Sequence, residues 1–270
     1  MSDDMNADLL EKEESPNFVT ALARGLKVIQ AFSSESPEMT MAEISQKTGI
    51  SAASVRRSLF TLEALGFVAL RGRRYVLRAK VLTLGAAYFE SMRIEDVAMP
   101  PLRAVAQQFH DTASMAVLGD SEVIYVAHVP SERRIRFRAS VGYRLPIYAT
   151  SLGRAMLAFA EPSRVEKYLA LAPFPKYTSK TVVEADDLRA ILAETRECGY
   201  ATQEAQLEYG VIALSLPIRD PAGKVVAAIN CSSESARGTL ENLVRTRLPA
   251  LRDAALEIER ALRRQPYLVG

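Results

Sequence analysis

The most constraining stretch of this sequence is the punctuated run from Thr40 to Leu77. Thr40-Met41-Ala42-Glu43 has the spacing of a capping box, in which the threonine oxygen and the glutamate carboxylate each satisfy an unpaired backbone amide. It opens a short helix through Ile44 that stops at Gly49, a residue suited to a left-handed C-terminal cap. Ser51 is placed to cap a second helix, along which Val55, Leu59, Leu62 and Leu65 recur at helical spacing until Gly66. Two short helices joined across Thr48-Gly49-Ile50 read as a helix-turn-helix.

The outward face of the second helix holds Ser51, Ala52, Ala53, Arg56 and Arg57. Small residues at its start allow close backbone approach to a duplex, and arginines suit phosphates or the acceptor pair of guanine. Beyond Gly66, Phe67–Leu70 and Tyr75–Leu77 are rich in strand-forming residues and flank Arg71-Gly72-Arg73-Arg74. That is a hairpin with a basic tip, or wing. An amphipathic helix over 20–33, carrying Leu22, Leu26, Ile29 and Phe32, completes three helices followed by a basic hairpin. The combination is far more specific than a lone helix-turn-helix, and it implies contact with double-stranded DNA.

Charge distribution agrees. The chain of 270 residues has a net charge of only +2. Residues 51–80, however, carry six arginines and Lys80 against Glu63, 7 − 1 = +6. Residues 1–20 carry six acids against Lys12, 1 − 6 = −5, and 1–17 read as a disordered acidic tail. A balanced chain with one basic block has the electrostatic footprint of phosphate contacts; a solvated basic face is the alternative. No apolar run approaches the roughly 18 residues that span a bilayer, and no signal peptide is recognisable. Two cysteines, Cys198 and Cys231, build no disulfide framework, so a reduced, cytoplasmic setting is expected.

Residues 18–78 therefore form the expected winged helix-turn-helix domain, 79–93 a linker helix, and 94–270 a second domain. The linker places Val81, Leu84 and Tyr88 on one side, a stripe suited to a subunit contact. In the second domain a helix is expected from 94 to about Phe109, broken or kinked at Pro100-Pro101. Strands follow at Thr112–Leu118 and Val123–Val129, and Ile135, Phe137 and Ala139 alternate with Arg134, Arg136 and Arg138 in a half-exposed one. Helices at 151–160 and 185–198, a hairpin of Val211–Ile218 with Lys224–Cys231, and a long helix over 238–264 complete it. Hairpins interleaved with helices make this an α+β domain around a mainly antiparallel sheet.

No catalytic, metal or cofactor constellation stands out. His110 and His128 are isolated, neither with metal-ligand spacing to a partner. There is no Walker loop and no Gly-x-Gly-x-x-Gly after a strand. Ser151-Leu152-Gly153-Arg154 opens a helix without the Gly-x-Ser-x-Gly elbow. The same segment suits an anion: free amides at Gly153, Arg154 and Ala155 lie along the helix dipole, and Arg154 can grip a carboxylate. An ordinary cap by Ser151 with a surface arginine is the alternative. Asn230 and Ser232 share one strand face, where a polar ligand, water or each other could partner them.

Residues 18 to about 264 resemble the isocitrate-lyase-regulator (IclR) family of bacterial transcription regulators. The resemblance rests on Ala23-Arg24-Gly25-Leu26-Lys27-Val28-Ile29, Ser54-Val55-Arg56-Arg57, Thr150-Ser151-Leu152-Gly153-Arg154-Ala155, Glu208-Tyr209-Gly210 and Ala227-Ala228-Ile229-Asn230-Cys231-Ser232. Leu22-Ala23-Arg24-Gly25-Leu26 and Lys80-Val81-Leu82-Thr83-Leu84-Gly85 are similar to the subgroup governing protocatechuate, 4-hydroxybenzoate and β-ketoadipate catabolism.

The resemblance implies a winged N-terminal domain and a GAF-like effector-binding domain, acting as a homodimer or dimer of dimers on promoter DNA. It implies a small carboxylate effector held by Gly153, Arg154, Ala155, Glu204, Asn230 and Ser232. Relatives carry acids where this chain has Gln203 and Glu204, so the glutamine changes the hydrogen-bond pattern. Two rival readings remain. One is an enzyme using Ser151 or Cys231; the other is a protein-binding module whose basic block meets an acidic partner.

Overall fold

The computed structural model describes residues 15–33, 35–92, 94–131 and 139–264. Most of the acidic tail, and the expected strand over 134–138, lie outside those residues. The chain divides into two compact units between Tyr88 and Phe89.

In the first unit, α1 (Thr20–Gln30), β1 (Glu38–Met39), α2 (Met41–Thr48) and α3 (Ala52–Ala64) precede β2 (Val68–Arg71) and β3 (Arg74–Leu77). The capping box is present: Glu43 N donates to Thr40 Oγ1, and Thr40 N donates to Glu43 Oε2 at 2.7 Å. Gly49 terminates α2 at φ 69°, a conformation a side chain would strain. Ser51 precedes α3 without capping it. Its hydroxyl bonds Ser54 Oγ at 3.1 Å instead, and Ser54 in turn accepts from Arg24. The apolar faces of the three helices meet around Val28, Ile44, Val55, Leu59 and Val68. β2 and β3 pair antiparallel with Arg71 opposite Arg74, so Gly72 and Arg73 form a two-residue turn, Gly72 at φ 62°. The two-residue β1 adds to β3, a pairing the sequence pattern did not reveal.

A 3-10 turn over Ala79–Leu82 leads into α4 (Thr83–Met92), which crosses the division between units. The helix expected from 94 is two: α5 (Ile94–Val97) and α6 (Met99–Phe109). The break falls at Ala98, just ahead of the expected Pro100-Pro101. Pro100 and Pro101 sit in the first turn of α6, where a missing amide hydrogen costs nothing.

The second unit continues through β4 (Thr112–Leu118), β5 (Glu122–Val129), β6 (Arg144–Pro146), α7 (Ser151–Leu157), α8 (Pro162–Leu169) and α9 (Ala185–Cys198). It closes with β7 (Ala201–Glu204), β8 (Val211–Arg219), β9 (Val225–Glu234) and α10 (Leu240–Arg264). The six strands form one antiparallel sheet in the order β6-β5-β4-β9-β8-β7. Period-two alternation sorts its side chains. Met115, Ala127, Leu214 and Ile229 meet Leu102 of α6 and Leu251 and Ile258 of α10 on one face. Ala116, Tyr125 and Ala228 meet Leu152 and Leu157 of α7 and Leu188 of α9 on the other.

On the α6/α10 side, Asp111 ties the chain together. Its fully buried carboxylate accepts from Ser233 Oγ at 2.7 Å, Arg247 Nε at 3.1 Å, and Arg237. Asp111→Ala leaves both guanidinium groups without their counter-charge. The expected loss is about 3 kcal/mol, read from urea unfolding of the full chain. A variant unfolding at the parent's midpoint would contradict that role.

Candidate functional site

Recognition helix and wing. On α3, Ser51, Ala52, Ala53, Arg56 and Arg57 are all exposed, while Ser54, Val55 and Leu59 face the core. The helix thus divides cleanly into a packed side and a free basic side. Arg71 and Arg73 are exposed on the wing. Arg74 differs. It is half-buried, donating to Glu43 Oε2 at 3.2 Å and to the Glu38 carbonyl at 3.2 Å, with the Glu38 carboxylate 3.9 Å away. It fastens the wing to α2 with 42% of its side chain still exposed. Glu43 is held below the usual carboxylate range chiefly by the Thr40 amide and hydroxyl, with Arg74 adding to them.

A cavity in the second unit. Between the sheet and the start of α7 lies a cavity of about 640 Å³, part of it open to solvent. The strand register builds its floor. Ser114 of β4 lies opposite Asn230 of β9, which lies opposite Ser215 of β8. One step along, Thr112, Ser232 and Ala213 repeat the pattern. These side chains share the face that carries α7, and Ser215 Oγ donates to Ser151 Oγ at 2.7 Å. Ser114 Oγ bonds His128 Nδ1 at 3.0 Å, and burial lowers the imidazole's pKa. Asn230 Nδ2 donates to Ser232 Oγ at 2.9 Å. Tyr125, Leu145, Leu152 and Leu207 supply apolar walls.

Of the expected ligand residues, Asn230 and Ser232 line this cavity; Gly153, Arg154, Ala155 and Glu204 do not. The helix is capped one residue earlier than the sequence reading places it. Thr150 is the N-cap, so Gly153 N donates to Thr150 Oγ1 at 3.1 Å and Arg154 N to the Thr150 carbonyl. Those amides are therefore not free for an anion. Thr150, Ser151 and Leu152 face the cavity instead.

Arg154 is 3% exposed and consumed internally. It donates to the carbonyls of Tyr148 at 2.7 Å and Thr202 at 3.2 Å, and to Gln206 Oε1 at 3.0 Å. Burial pushes its guanidinium down to about 10, leaving it charged at neutral pH. Ala155 is in the core. Gly153 is required by contact: a Cβ there would lie 2.4 Å from the Ile147 carbonyl oxygen. Gln203 and Glu204 are neighbours on a strand, so they face opposite ways. Gln203 is buried toward the cavity, and Glu204 pairs with Lys180.

Thr112, Ser114 and Ser151 escaped the sequence reading as cavity residues. Their signal was the hydroxyls alternating with Ala113 and Met115 along β4, on a strand buried on both faces. Of the rival nucleophiles, the Cys231 thiol is pushed up by burial and by the neighbouring Asp111, and lies on the α6/α10 side.

The pattern of the bacterial transcriptional regulator IclR C-terminal family matches residues 86–260, and that of the IclR helix-turn-helix domain matches residues 21–72. The chain belongs to the IclR family of bacterial transcriptional regulators. It is 40% identical over 244 residues to the Pca regulon regulatory protein of Pseudomonas putida, covering 90% of this chain and 84% of that one. A transcriptional regulator from Rhodococcus sp. RHA1 superposes with a TM-score of 0.77 at 35% identity, covering 91% and 98% of the two chains. An IclR homolog from Microbacterium hydrocarbonoxydans, complexed with 4-hydroxybenzoate, superposes at 0.78 with 26% identity, covering 91% and 100%.

Within this IclR-family domain, Gly153 and Arg154 are scaffold residues. Gly153→Ala should cost about 2 kcal/mol through overpacking, and Arg154→Ala about 3 kcal/mol through the carbonyls it abandons. Scanning calorimetry checks both. Unchanged melting midpoints would leave Arg154 free to serve a ligand after all.

Proposed function

We propose that this chain is a ligand-responsive regulator of aromatic-acid breakdown, in the β-ketoadipate and protocatechuate branch of metabolism. The observation that carries the reading is the cavity: a mainly apolar space with a floor of hydroxyls and an amide, the chemistry that suits an aromatic acid. The 40% identity to a Pca regulon regulator and the likeness to a homolog complexed with 4-hydroxybenzoate support the same class of ligand. A regulator of another carboxylate pathway is the second reading, since the hydroxyls and amide of the cavity floor are not specific to an aromatic ring.

On the DNA side, Ser51, Ala52, Ala53, Arg56 and Arg57 enter the major groove of promoter DNA, and Arg71 and Arg73 of the wing contact phosphates. The exposed Leu22, Leu26, Leu65 and Leu84 of the first unit favour a homodimer or a dimer of dimers. Work on double-stranded promoter DNA goes with a cytoplasmic protein. A small carboxylate effector acts by binding one arrangement of the dimer better than another, since a ligand shifts an equilibrium only by its differential affinity.

Two measurements test this. Arg71→Ala with Arg73→Ala should flatten the logarithmic salt dependence of DNA binding by about 0.9 for each phosphate that is no longer neutralised. An unchanged slope would remove the wing from the interface. Isothermal calorimetry with protocatechuate, 4-hydroxybenzoate and β-ketoadipate should find at least one that binds; heat from none of them would end the aromatic-acid reading.

A further inference from the structure

Asn230 holds the one orphan of the cavity. Its side chain is 4% exposed, and Oδ1 has no hydrogen-bond partner, the only such buried side-chain oxygen or nitrogen among the described residues. A buried acceptor without a donor is costly, and folded chains rarely keep one without a use.

Nearby hydroxyls do not relieve it. Ser215, directly across the register, donates to Ser151. Ser114, on the other side, is engaged with His128. Ser232 receives the amide's own N–H. With Nδ2 placed on Ser232, what is missing at this point of the floor is a donor; the amide turned over would instead accept from Ser232 Oγ and leave Nδ2 bare.

We propose that Asn230 Oδ1 reads a hydroxyl group on the ligand, which donates its O–H to the sheet floor while the acid group of the ligand turns away from it. A carboxylate set against Oδ1 would oppose acceptor to acceptor. A neutral hydroxyl suits the place better than an ammonium, because Ser114, Ser215 and Ser232 on the floor are all uncharged and the Glu208 carboxylate that lines the cavity belongs to the part-exposed segment between β7 and β8, not to the floor. Leu145, Leu152 and Leu207 then cover the carbon skeleton. The inference rests on the cavity being the effector site, and it adds which end of the effector faces the sheet.

The test uses the full chain, the parent and Asn230→Leu, a replacement of similar bulk without the amide. Calorimetry compares two ligand pairs that differ by a hydroxyl: 4-hydroxybenzoate with benzoate, and malate with succinate. In the parent, the hydroxylated member of at least one pair should bind about tenfold or more tighter. In Asn230→Leu both members of that pair should bind within about twofold of each other. Without ligand, the variant should melt at or above the parent, because an unpaired buried acceptor has been removed.

A preference that survives in Asn230→Leu overturns the proposal. So does a parent without preference in either pair, and so does an unliganded variant that melts well below the parent, which would make Asn230 structural. A preference confined to malate over succinate would sink the aromatic reading while leaving the role of Asn230 standing.

Discussion

The register of three antiparallel strands fixes everything that follows in the larger unit. With Ser114, Asn230 and Ser215 in one row, β4, β9 and β8 place their polar residues on a single face. Slipping any of them by one position would exchange that row for Met115, Ile229 and Leu214, and would turn the serines and asparagine into the α6/α10 core. The apolar face enforces the register, because Leu102, Leu251 and Ile258 accept only apolar partners. A polar floor on the opposite face is thereby held in place by contacts it does not itself make.

The helix-turn-helix was legible because its signals are local. A capping box spans four residues, Gly49 marks its own stop, and the Gly72-Arg73 turn follows from two neighbours. Strands β4, β5, β8 and β9 of the larger unit were legible from their own local patterns, whereas β6 and β7, three and four residues long, are too short to show alternation and were not read. The start of α7 was read correctly at Ser151, but its cap was set one residue late. Thr150 and Ser151 are both competent caps, and the choice between them comes from the Thr150 hydroxyl reaching Gly153 N while Ser151 is claimed by Ser215, 64 positions away. That single residue of frame moved the expected ligand contacts from Ser151 and Leu152 to Gly153 and Arg154.

The arginines show the same boundary between local and distant information. Arg56, Arg57, Arg71 and Arg73 are exposed, Arg74 is half-buried and paired with Glu43 at the surface, and Arg154 is spent inside the fold. Composition cannot separate these groups. Arg74 is decided by Glu43, 31 positions earlier, and Arg154 by Thr202 and Gln206, 48 and 52 positions later. For the basic block the surplus of positive charge still points the right way, since removing Arg74 leaves the rest of it unopposed. For Arg154 the motif was misleading, because a guanidinium beside a helix start looks the same whether it faces a ligand or three protein oxygens.

Two polar sites flank the same sheet and differ in how complete they are. Asp111, fully buried, takes donors from Ser233, Arg247 and Arg237, and nothing is left for a ligand to add. Asn230, nearly as deep, has its nitrogen satisfied and its oxygen bare. Both faces are built by one set of strands with the same alternation, so the contrast does not come from poor packing of the domain. A satisfied polar cluster is explained by the stability it confers. An unsatisfied one departs from the rule every other buried side chain described here obeys, and such departures concentrate where a chain keeps a place for something else.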